Sequence, residues 1–412
     1  MADKHSAAPS DRHVPIGLEA SMTEVGRDLV DAMVTVLAEV PGSPRGPQAL
    51  ATTLGLDKVL TSRMLKATRS RDPMAALHSA PGPEPIRRLL RAARKKGVRS
   101  DAVEAAMSAV DRFEALIRDD LGDRAALDAI IAAWLPEARR EFELRAKQSA
   151  FKAMSHIKGA MVELNLGAVV LAPSDDGERI DVLWLIGLLG LRRLRPEAVV
   201  KFSTRRITEG DSPRTPMTLE GKPAEDLTAA RVEAFCEADA APLDVRRVGD
   251  VMHYMLGGDD FGPRSGRDVV CVEVNRRELP RFVPAGSGRL SYVFSEVGTP
   301  AKSLVLDVLV HESLFTRARP ELLIYDTSLE GVASVNDRSR DADRVDMVES
   351  LQPMGRGASG LRVRTMPRYT DLLSRMLNAT GLDEQAFGVH RCEIDYPVYG
   401  SQIAVALTPD EQ

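Results

Sequence analysis

Apolar residues recur at helical spacing in the first half of the chain and at strand-like spacing in the second. Between residues 22 and 40 they recur every three or four positions, which predicts an amphipathic helix. The same pattern predicts helices over residues 101–162, interrupted at Gly122 and Pro136. Beyond residue 164, short apolar runs are separated by turn-rich segments, as is typical of strands. The pattern therefore predicts an all-α first half and a mixed α+β second half.

The second half begins with a predicted hairpin. Leu166–Ala172 and Ile180–Ile186 predict two strands, and the turn between them is rich in Ser, Asp and Gly. Later apolar segments mostly follow one another without a long helix between them, although Tyr369–Thr380 predicts one helix that Gly381 ends. Such an order favours antiparallel pairing in an α+β arrangement, either as one large domain or as two.

Length and composition indicate a globular protein of two or three domains. The chain has 412 residues, of which 44% are hydrophobic and 28% charged. Its net charge of −5 does not by itself indicate a nucleic-acid partner. A protein that is acidic overall can still carry one basic face, so the distribution of charge matters more than the sum.

Cysteine usage and apolar stretches predict a cytoplasmic protein without a membrane segment. The three cysteines are far apart in sequence and show neither a disulfide framework nor zinc-ligand spacing. The N-terminal 15 residues lack the apolar core of a signal peptide. The most apolar stretch, Val182 to Leu194, is too short to span a bilayer.

Residues 47–67, PQALATTLGLDKVLTSRMLKA, predict two short helices joined by a tight turn. Gly55 supplies the turn, because glycine adopts positive φ without a Cβ clash, and Asp57 is a suitable N-cap for the second helix. Ala51 is small enough to let the two helices approach closely. The predicted apolar faces comprise Leu50, Ala51 and Leu54 in the first helix, and Leu60, Met64 and Leu65 in the second.

This segment resembles the helix-turn-helix of bacterial transcriptional regulators. The resemblance is carried by Leu50-Ala51, Leu54-Gly55-Leu56 and Ser62-Arg63-Met64-Leu65, while Leu60-Thr61 stands where Thr-Val is commoner. It implies that the second helix enters the major groove of double-stranded DNA. The predicted DNA-contacting residues on its polar side are Lys58, Thr61, Ser62, Arg63 and Lys66. Ser62 and Arg63 are expected at base edges, and Lys58 and Lys66 nearer phosphates.

Residues 84–99 form the most basic segment of the chain. Seven Lys and Arg residues stand against one acid, Glu84, in a sequence with an apolar helical side. Arg87, Arg91 and Lys95 recur at four-residue spacing and are predicted to lie along DNA phosphates, adding affinity without specificity. The alternative is a solvated helix face. Residues 69–86 contain four prolines and no β-hairpin pattern, so a wing after the second helix is expected to be short or missing.

No motif with the spacing of a catalytic or metal site was found. Asp260-Phe261-Gly262 lacks the other loops of a kinase, and His311-Glu312 lacks the second histidine of a zinc protease because Phe315 takes its place. We therefore predict no catalytic residues, no metal and no cofactor.

The sequence leads to a four-part interpretation. Residues 1–20 are predicted to be a disordered arm, 21–99 a DNA-binding helix-turn-helix region, 100–163 a helical linker that dimerises, and 164–412 an α+β domain, or two, that binds a small molecule or a protein. The leading hypothesis is a sequence-specific transcriptional regulator that acts as a homodimer. The alternatives are an adaptor or assembly protein whose helix pair only packs, and an enzyme with a site in the second half. The sequence specifies neither the DNA target nor the effector, nor whether transcription is activated or repressed.

Overall fold

The computed structural model divides the chain into two compact units, residues 1–142 and 143–412, which we call the helical unit and the sheet unit. The predicted arm lies outside the described residues as far as position 15, and helix begins at Ile16. The structure describes residues 16–42, 44–206, 216–224, 227–236, 243–249, 251–258, 260–262 and 266–412.

Helices account for the chain from Ile16 to Lys158, which confirms the predicted all-α first half. Their bounds are α1 Ile16–Ala38, α2 Pro47–Leu54, α3 Lys58–Thr68, α4 Pro73–Ser79, α5 Pro83–Lys95, α6 Ser100–Ala115 with a π-helical turn at Leu116–Leu121, α7 Arg124–Ala132 and α8 Pro136–Lys158.

Local sequence rules determine where several of these helices begin. Proline occupies the first helical position of α2, α4 and α5, where its missing N–H has no partner to lose. Asp57, Asp72 and Asp123 cap α3, α4 and α7 by accepting hydrogen bonds from backbone N–H groups in the first turn. A cap depends on residues no more than three positions apart, which is why Asp57 could be predicted as one from the sequence.

The core of the helical unit forms around α1, which packs most extensively against α6 and α4. Leu29 and Met33 of α1 and Val110 and Phe113 of α6 are almost completely buried there. Each such side chain contributes about 1.5–3 kcal/mol through removal of apolar surface from water. The core also includes the apolar faces of α2 and α3, which fixes the position of that helix pair.

Strands are the main regular elements of the sheet unit in the described part of the chain. The strands are β1 Ala160–Pro173, β2 Arg179–Arg193, β3 Val200–Arg206, β4 Leu243–Val248, β5 Val251–Leu256, β6 Arg267–Pro280, β7 Phe282–Val283, β8 Ser291–Glu296, β9 Ala301–His311, β10 Glu321–Asp326, β11 Gln352–Arg356, β12 Phe387–Asp395, β13 Ser401–Leu407 and β14 Asp410–Glu411, with one further α-helix, α9, at Tyr369–Asn378.

The strands form mostly antiparallel sheets, as predicted. The largest has six strands in the order β11-β12-β9-β1-β2-β6, in which β1 pairs with β9 in parallel and the other neighbours are antiparallel. The predicted first hairpin is confirmed as β1 and β2. Antiparallel three-stranded sheets have the orders β10-β13-β8 and β3-β5-β4, and β7 pairs with β14 in parallel.

The six-stranded sheet is covered on both faces. Leu372, Leu373 and Met376 of α9 share one core with side chains of β1, β2, β6 and β9. On the other face, alternate residues of β1, β2, β9 and β12 pack with β8 and β13 of a three-stranded sheet. This arrangement explains the long apolar runs in β1 and β9, since strands buried on both faces do not alternate with polar residues.

A buried polar network ties α9 to the six-stranded sheet. Arg391 of β12 donates from Nε and Nη2 to the Asp307 carboxylate of β9, at 2.8 and 2.7 Å. The Tyr369 hydroxyl donates to Asp307 Oδ2 at 2.6 Å, and burial raises the pKa of that phenol. All three side chains are almost inaccessible to water, so the Asp307 carboxylate depends on Arg391 and Tyr369 for these hydrogen bonds, while Arg391 also donates from Nη1 to the Arg362 carbonyl at 2.8 Å.

None of the helices within the described residues is both long enough and apolar enough to cross a lipid bilayer.

Candidate nucleic-acid interface

The predicted helix pair is present as α2 and α3, separated by a three-residue turn. Gly55 adopts φ +68°, and the Leu56 N–H donates to the Ala51 carbonyl at 2.9 Å. Asp57 Oδ1 accepts from the Leu60 N–H at 2.8 Å and thereby caps α3. The predicted apolar faces are buried, so the pair is anchored in the core by the side that the sequence indicated.

Thr61 is not on the exposed side of α3 that the sequence predicted for it. The residue is completely buried, and its hydroxyl donates to the Pro47 carbonyl at 2.9 Å, which links α3 to the first turn of α2. The position corresponds to the Val that is commoner in the helix-turn-helix pattern, and that apolar preference is the signal for burial. Thr61 therefore holds the two helices together and is not available to a ligand.

The exposed face of α3 consists of five residues. Two of them, Lys58 and Val59, lie in the first turn, and the Val59 side chain is 70% exposed. Val59 was not among the predicted contact residues because it is apolar, although its spacing from Ser62, Arg63 and Lys66 places it on their face. The complete exposed set is Lys58, Val59, Ser62, Arg63 and Lys66.

Arg63 is exposed and also contacts the end of a neighbouring helix. Its Nη2 donates to the Ala80 carbonyl at 3.0 Å, and its Nε lies 3.4 Å from the Ser79 carbonyl. A cation at the C-terminus of α4 is favourable because the last carbonyls of a helix carry partial negative charge. These contacts fix the guanidinium beside α3 and use two of its five N–H groups.

Arg87 of α5 is held by two carboxylates of α6. Its Nη2 lies 2.7 Å from Asp111 Oδ1 and 2.6 Å from Glu114 Oε2, and only 20% of its side chain is exposed. The two hydrogen-bonded carboxylates raise the pKa of Arg87, and the guanidinium lowers the pKa of Glu114. Arg87 therefore joins α5 to α6, so its charge is already neutralised within the protein.

Arg88, the next residue, faces a different way. Its side chain is 56% exposed, and its Nη2 lies 2.9 Å from Oδ2 of Asp57, the N-cap of α3. Arg91 pairs with Glu84 at 2.5 Å, and Lys95 is exposed one turn further along α5. Arg88 was not among the predicted contact residues, although positions 84, 88, 91 and 95 follow the spacing of a single helical stripe.

The contact between Arg88 and Asp57 joins the two exposed faces into one surface. We define the α3–α5 surface as Lys58, Val59, Ser62, Arg63, Lys66, Arg88, Arg91 and Lys95. It carries six cationic side chains, of which Arg88 pairs with Asp57 and Arg91 with Glu84. The chain as a whole has a net charge of −5, so this surface differs in sign from the overall charge.

The sheet unit contains a partly open cavity of about 730 Å³, and its lining includes residues of the six-stranded sheet, β3 and β8. Its volume lies within the range of small-molecule sites. Sequence analysis did not identify this cavity, because its walls come from strands more than 100 residues apart. Within the described ranges, no group of three or more His, Cys, Asp or Glu side chains is arranged to hold a metal ion.

Comparisons with known proteins add no functional assignment. No family model matches the sequence, and no curated protein is significantly similar to it. Among solved structures, one provisionally described as a protease from Parabacteroides distasonis aligns with 61% of this chain and 41% of its own length. The sequence identity is 6% and the TM-score 0.24, so the alignment supports no conclusion about fold or function.

Proposed function

We propose that this protein is a DNA-binding transcriptional regulator whose α2 and α3 form a helix-turn-helix and whose sheet unit senses a small molecule. One observation carries the proposal. The exposed face of α3 is basic, and Arg88 connects it to a second basic stripe on α5. The two helices together offer both a recognition helix and a set of phosphate contacts.

In this proposal, Val59 and Ser62 contact base edges. An exposed Val in the first turn of α3 suits the C5-methyl group of thymine, and a serine hydroxyl can donate to or accept from a base. Arg63 can reach a guanine with the guanidinium N–H groups that do not contact α4, since that contact already directs the side chain.

The remaining cations of the α3–α5 surface contact phosphates. Lys58 and Lys66 flank the base-reading residues on α3, and Arg88, Arg91 and Lys95 extend the contact along α5. Thr61 and Arg87 have no DNA contact in this proposal, because Thr61 is buried and Arg87 is bound to two carboxylates. The protein acts in the cytoplasm as a homodimer, since symmetric dimers commonly read palindromic sites with half-sites about 34–36 Å apart.

The test is selection of preferred sequences from a random duplex library by the full-length chain. We expect an enriched palindromic motif. The Val59→Ser variant should lose its preference for thymine at one position of each half-site, at a cost of about 1–3 kcal/mol for that base pair. Val34→Ser is the matched control, because Val34 is an exposed valine on α1, outside the α3–α5 surface.

Enrichment of no motif by the wild-type chain would contradict sequence-specific reading. The same motif from wild type and Val59→Ser would show that Val59 does not read a base. Regular oligomers that do not bind DNA would instead favour an assembly protein whose helix pair only packs.

A further inference from the structure

Strand β8 lies at the edge of its three-stranded sheet. Among the described residues, β13 pairs with it on one side and no strand pairs with it on the other. An edge strand presents a row of backbone N–H and C=O groups that lack partners within the sheet. This edge borders the cavity of the sheet unit, whose lining includes every residue of β8 except Val293.

The pairing with β13 determines which backbone groups of β8 face the cavity. The Val297 N–H donates to the Ser401 carbonyl at 2.8 Å, immediately after the last residue of β8. Backbone groups of successive residues in a strand point to opposite edges, so the odd-numbered residues of β8 also bond to β13. The N–H and C=O groups of Tyr292 and Phe294 therefore point to the open edge, where no described residue bonds to them.

Two asparagine side chains close the ends of this open edge. Asn336 accepts from the Leu290 N–H at 2.8 Å and donates to the Leu290 carbonyl at 2.9 Å. At the other end, Asn165 Nδ2 donates to the Glu296 carbonyl at 3.1 Å. Both amides bond to the backbone of β8 as a neighbouring strand would, and they leave it open from Tyr292 to the Glu296 N–H. An edge bounded at both ends suits a short segment of chain.

The cavity occupies the position of a further strand beside β8. Ser295 of β8 packs over β1, since a Cβ added at Gly167 would lie 3.8 Å from the Ser295 Cβ. Trp184 and Ile186 lie on β2, the neighbour of β1, and line the cavity. A chain paired with the open edge of β8 would therefore direct alternate side chains toward Trp184 and Ile186.

The volume of the cavity limits the length of such a chain. One residue of a packed strand occupies roughly 160 Å³, from its rise, the spacing between strands and the spacing between sheets. A cavity of about 730 Å³ therefore has room for about four or five residues in extended conformation.

The open backbone groups of β8 indicate the chemistry of a ligand. Donors and acceptors recur along the edge every second residue, and an extended peptide backbone offers complementary groups at the same spacing. The charges beside them are already paired, because Lys201 Nζ lies 2.7 Å from Glu296 Oε1 and the Thr204 hydroxyl donates to the other oxygen of that carboxylate. Main-chain hydrogen bonds would therefore provide affinity, and Trp184 and Ile186 would favour apolar side chains.

We propose that β8 binds a short peptide in extended conformation, which adds a fourth strand to the sheet β10-β13-β8. The peptide spans about four or five residues and carries apolar side chains at alternate positions, where they contact Trp184 and Ile186. As the small molecule that the sheet unit senses, this peptide rests on the proposed function above, but its binding to β8 requires no DNA.

Hydrogen exchange of the full-length chain, resolved to single backbone amides, tests the open edge directly. In the free protein, the amides of Val293 and Ser295 should exchange at least tenfold more slowly than those of Tyr292 and Phe294, because only the first two bond to β13. Bound peptide should slow exchange at Tyr292 and Phe294 at least tenfold and thereby remove the alternation.

The probe is a pool of pentapeptides built from Val, Leu, Thr and Ser, acetylated and amidated so that neither end is charged. Peptides retained by the full-length chain are identified by mass spectrometry. We expect retention of sequences with Val or Leu at alternate positions. The matched control pool has the same side chains and an N-methyl group on every residue, which removes the N–H donors, and none of it should be retained.

Two variants at one position test the hydrogen bonds from the side of the protein. Tyr292→Pro removes an N–H that faces the cavity and none that bonds to β13, and proline is accepted at the open edge of a strand. Tyr292→Ala loses the same ring and keeps the N–H. Tyr292→Pro should bind a retained peptide at least about fivefold more weakly than Tyr292→Ala. If Tyr292→Pro does not fold, the N-methylated pool tests the same hydrogen bonds on the wild-type chain.

Four results would overturn the proposal. Retention of no peptide at about 1 mM would exclude this ligand class, and equal retention of both pools would show that side chains bind without main-chain pairing. A retained peptide that leaves exchange at Tyr292 and Phe294 unchanged would place its site elsewhere. Slow exchange of these two amides in the free chain would show that the edge is already covered, by a second copy if exchange accelerates on dilution. Peptide binding without any DNA binding would support the β8 site and contradict the regulator, so the two failures are distinguishable.

Discussion

Two adjacent arginines of α5 should have opposite roles, and exchanging each for glutamine tests that division. Arg88 lies on the α3–α5 surface, whereas Arg87 is bound to Asp111 and Glu114 of α6. Glutamine keeps most of the side-chain length and polarity and removes one positive charge. The two variants therefore change net charge equally and differ only in which face loses it.

The expected loss of DNA affinity in Arg88→Gln follows from counterion release. Each phosphate contact contributes about 0.9 to the slope of log affinity against log salt. Between 1 M and 0.1 M salt, one such contact therefore raises the affinity roughly eightfold. Arg88 must first leave Asp57, and an exposed ion pair of this kind contributes about 0.2–1 kcal/mol. Subtracting that cost from the eightfold effect leaves an expected net loss of about 1.5- to sixfold, and a slope reduced by about 0.9 per protomer. The free energy of unfolding should fall by no more than the contribution of that pair, about 0.2–1 kcal/mol.

Arg87→Gln should destabilise the helical unit and leave the salt slope unchanged. The substitution removes two ion pairs whose carboxylates are more than a third exposed, so solvent screening limits the loss to about 1–2 kcal/mol. Phosphate contacts are unaffected because Arg87 makes none in this account.

Both quantities are measured on the full-length chain. Fluorescence anisotropy with a labelled duplex over a series of salt concentrations gives the slope. Urea unfolding, followed by Trp134 in a Trp184→Phe background, gives the stability of the helical unit. An unchanged slope in Arg88→Gln would refute the assignment of the α3–α5 surface. An equal reduction in both variants would show that the effect comes from net charge and not from position.

Three further predictions concern buried groups. Tyr369→Phe should lower the free energy of unfolding by about 2 kcal/mol, because Asp307 loses a buried charge-assisted hydrogen bond, as urea unfolding would measure. Thr61→Ala should cost about 1–2 kcal/mol, since the Pro47 carbonyl loses its donor and a small void remains, and should leave the salt slope of DNA binding unchanged. Burial raises the pKa of the Cys392 thiol to about 12, so mass spectrometry after treatment with a thiol reagent at pH 8 should find Cys392 unmodified in native protein and modified after unfolding.

Each of these predictions has a control and an outcome that contradicts it. Tyr399→Phe, at a partly exposed tyrosine, should change stability little, and an equal loss in both variants would show that Asp307 does not depend on the Tyr369 hydroxyl. A Thr61→Ala variant that lost phosphate contacts would place Thr61 on the DNA-facing side after all. Rapid modification of Cys392 in native protein would show that β12 is accessible.

The sequence predicts those features of the fold that depend on nearby residues. The predictions of the α2–α3 pair and of the β1–β2 hairpin were correct. The caps, turn glycines and apolar spacing that specify each of them lie within about 20 positions of one another. The parallel pairing of β1 with β9 joins residues about 140 positions apart, and no local pattern specifies it.

The candidate interface was only partly predictable for the same reason. In the sequence, residues 84–99 form one basic segment. In the structure, Arg87 pairs with Asp111 of α6, 24 positions away, whereas Arg88 pairs with Asp57, 31 positions away, so the two arginines belong to different faces. Thr61 looked like a polar surface residue because its acceptor, the Pro47 carbonyl, is 14 positions earlier. The sequence therefore predicts which residue types a helix carries, but which of those side chains are exposed to solvent depends on contacts with distant residues.

The most direct test of the central claim is the affinity of the full-length chain for random duplex DNA between 50 and 300 mM salt. With Lys58, Lys66, Arg88, Arg91 and Lys95 on phosphates, log affinity should fall with log salt at a slope of about −4 to −5 per protomer. No binding at 50 mM salt, or an affinity independent of salt, would contradict the account and leave the α3–α5 surface as an ordinary solvated face.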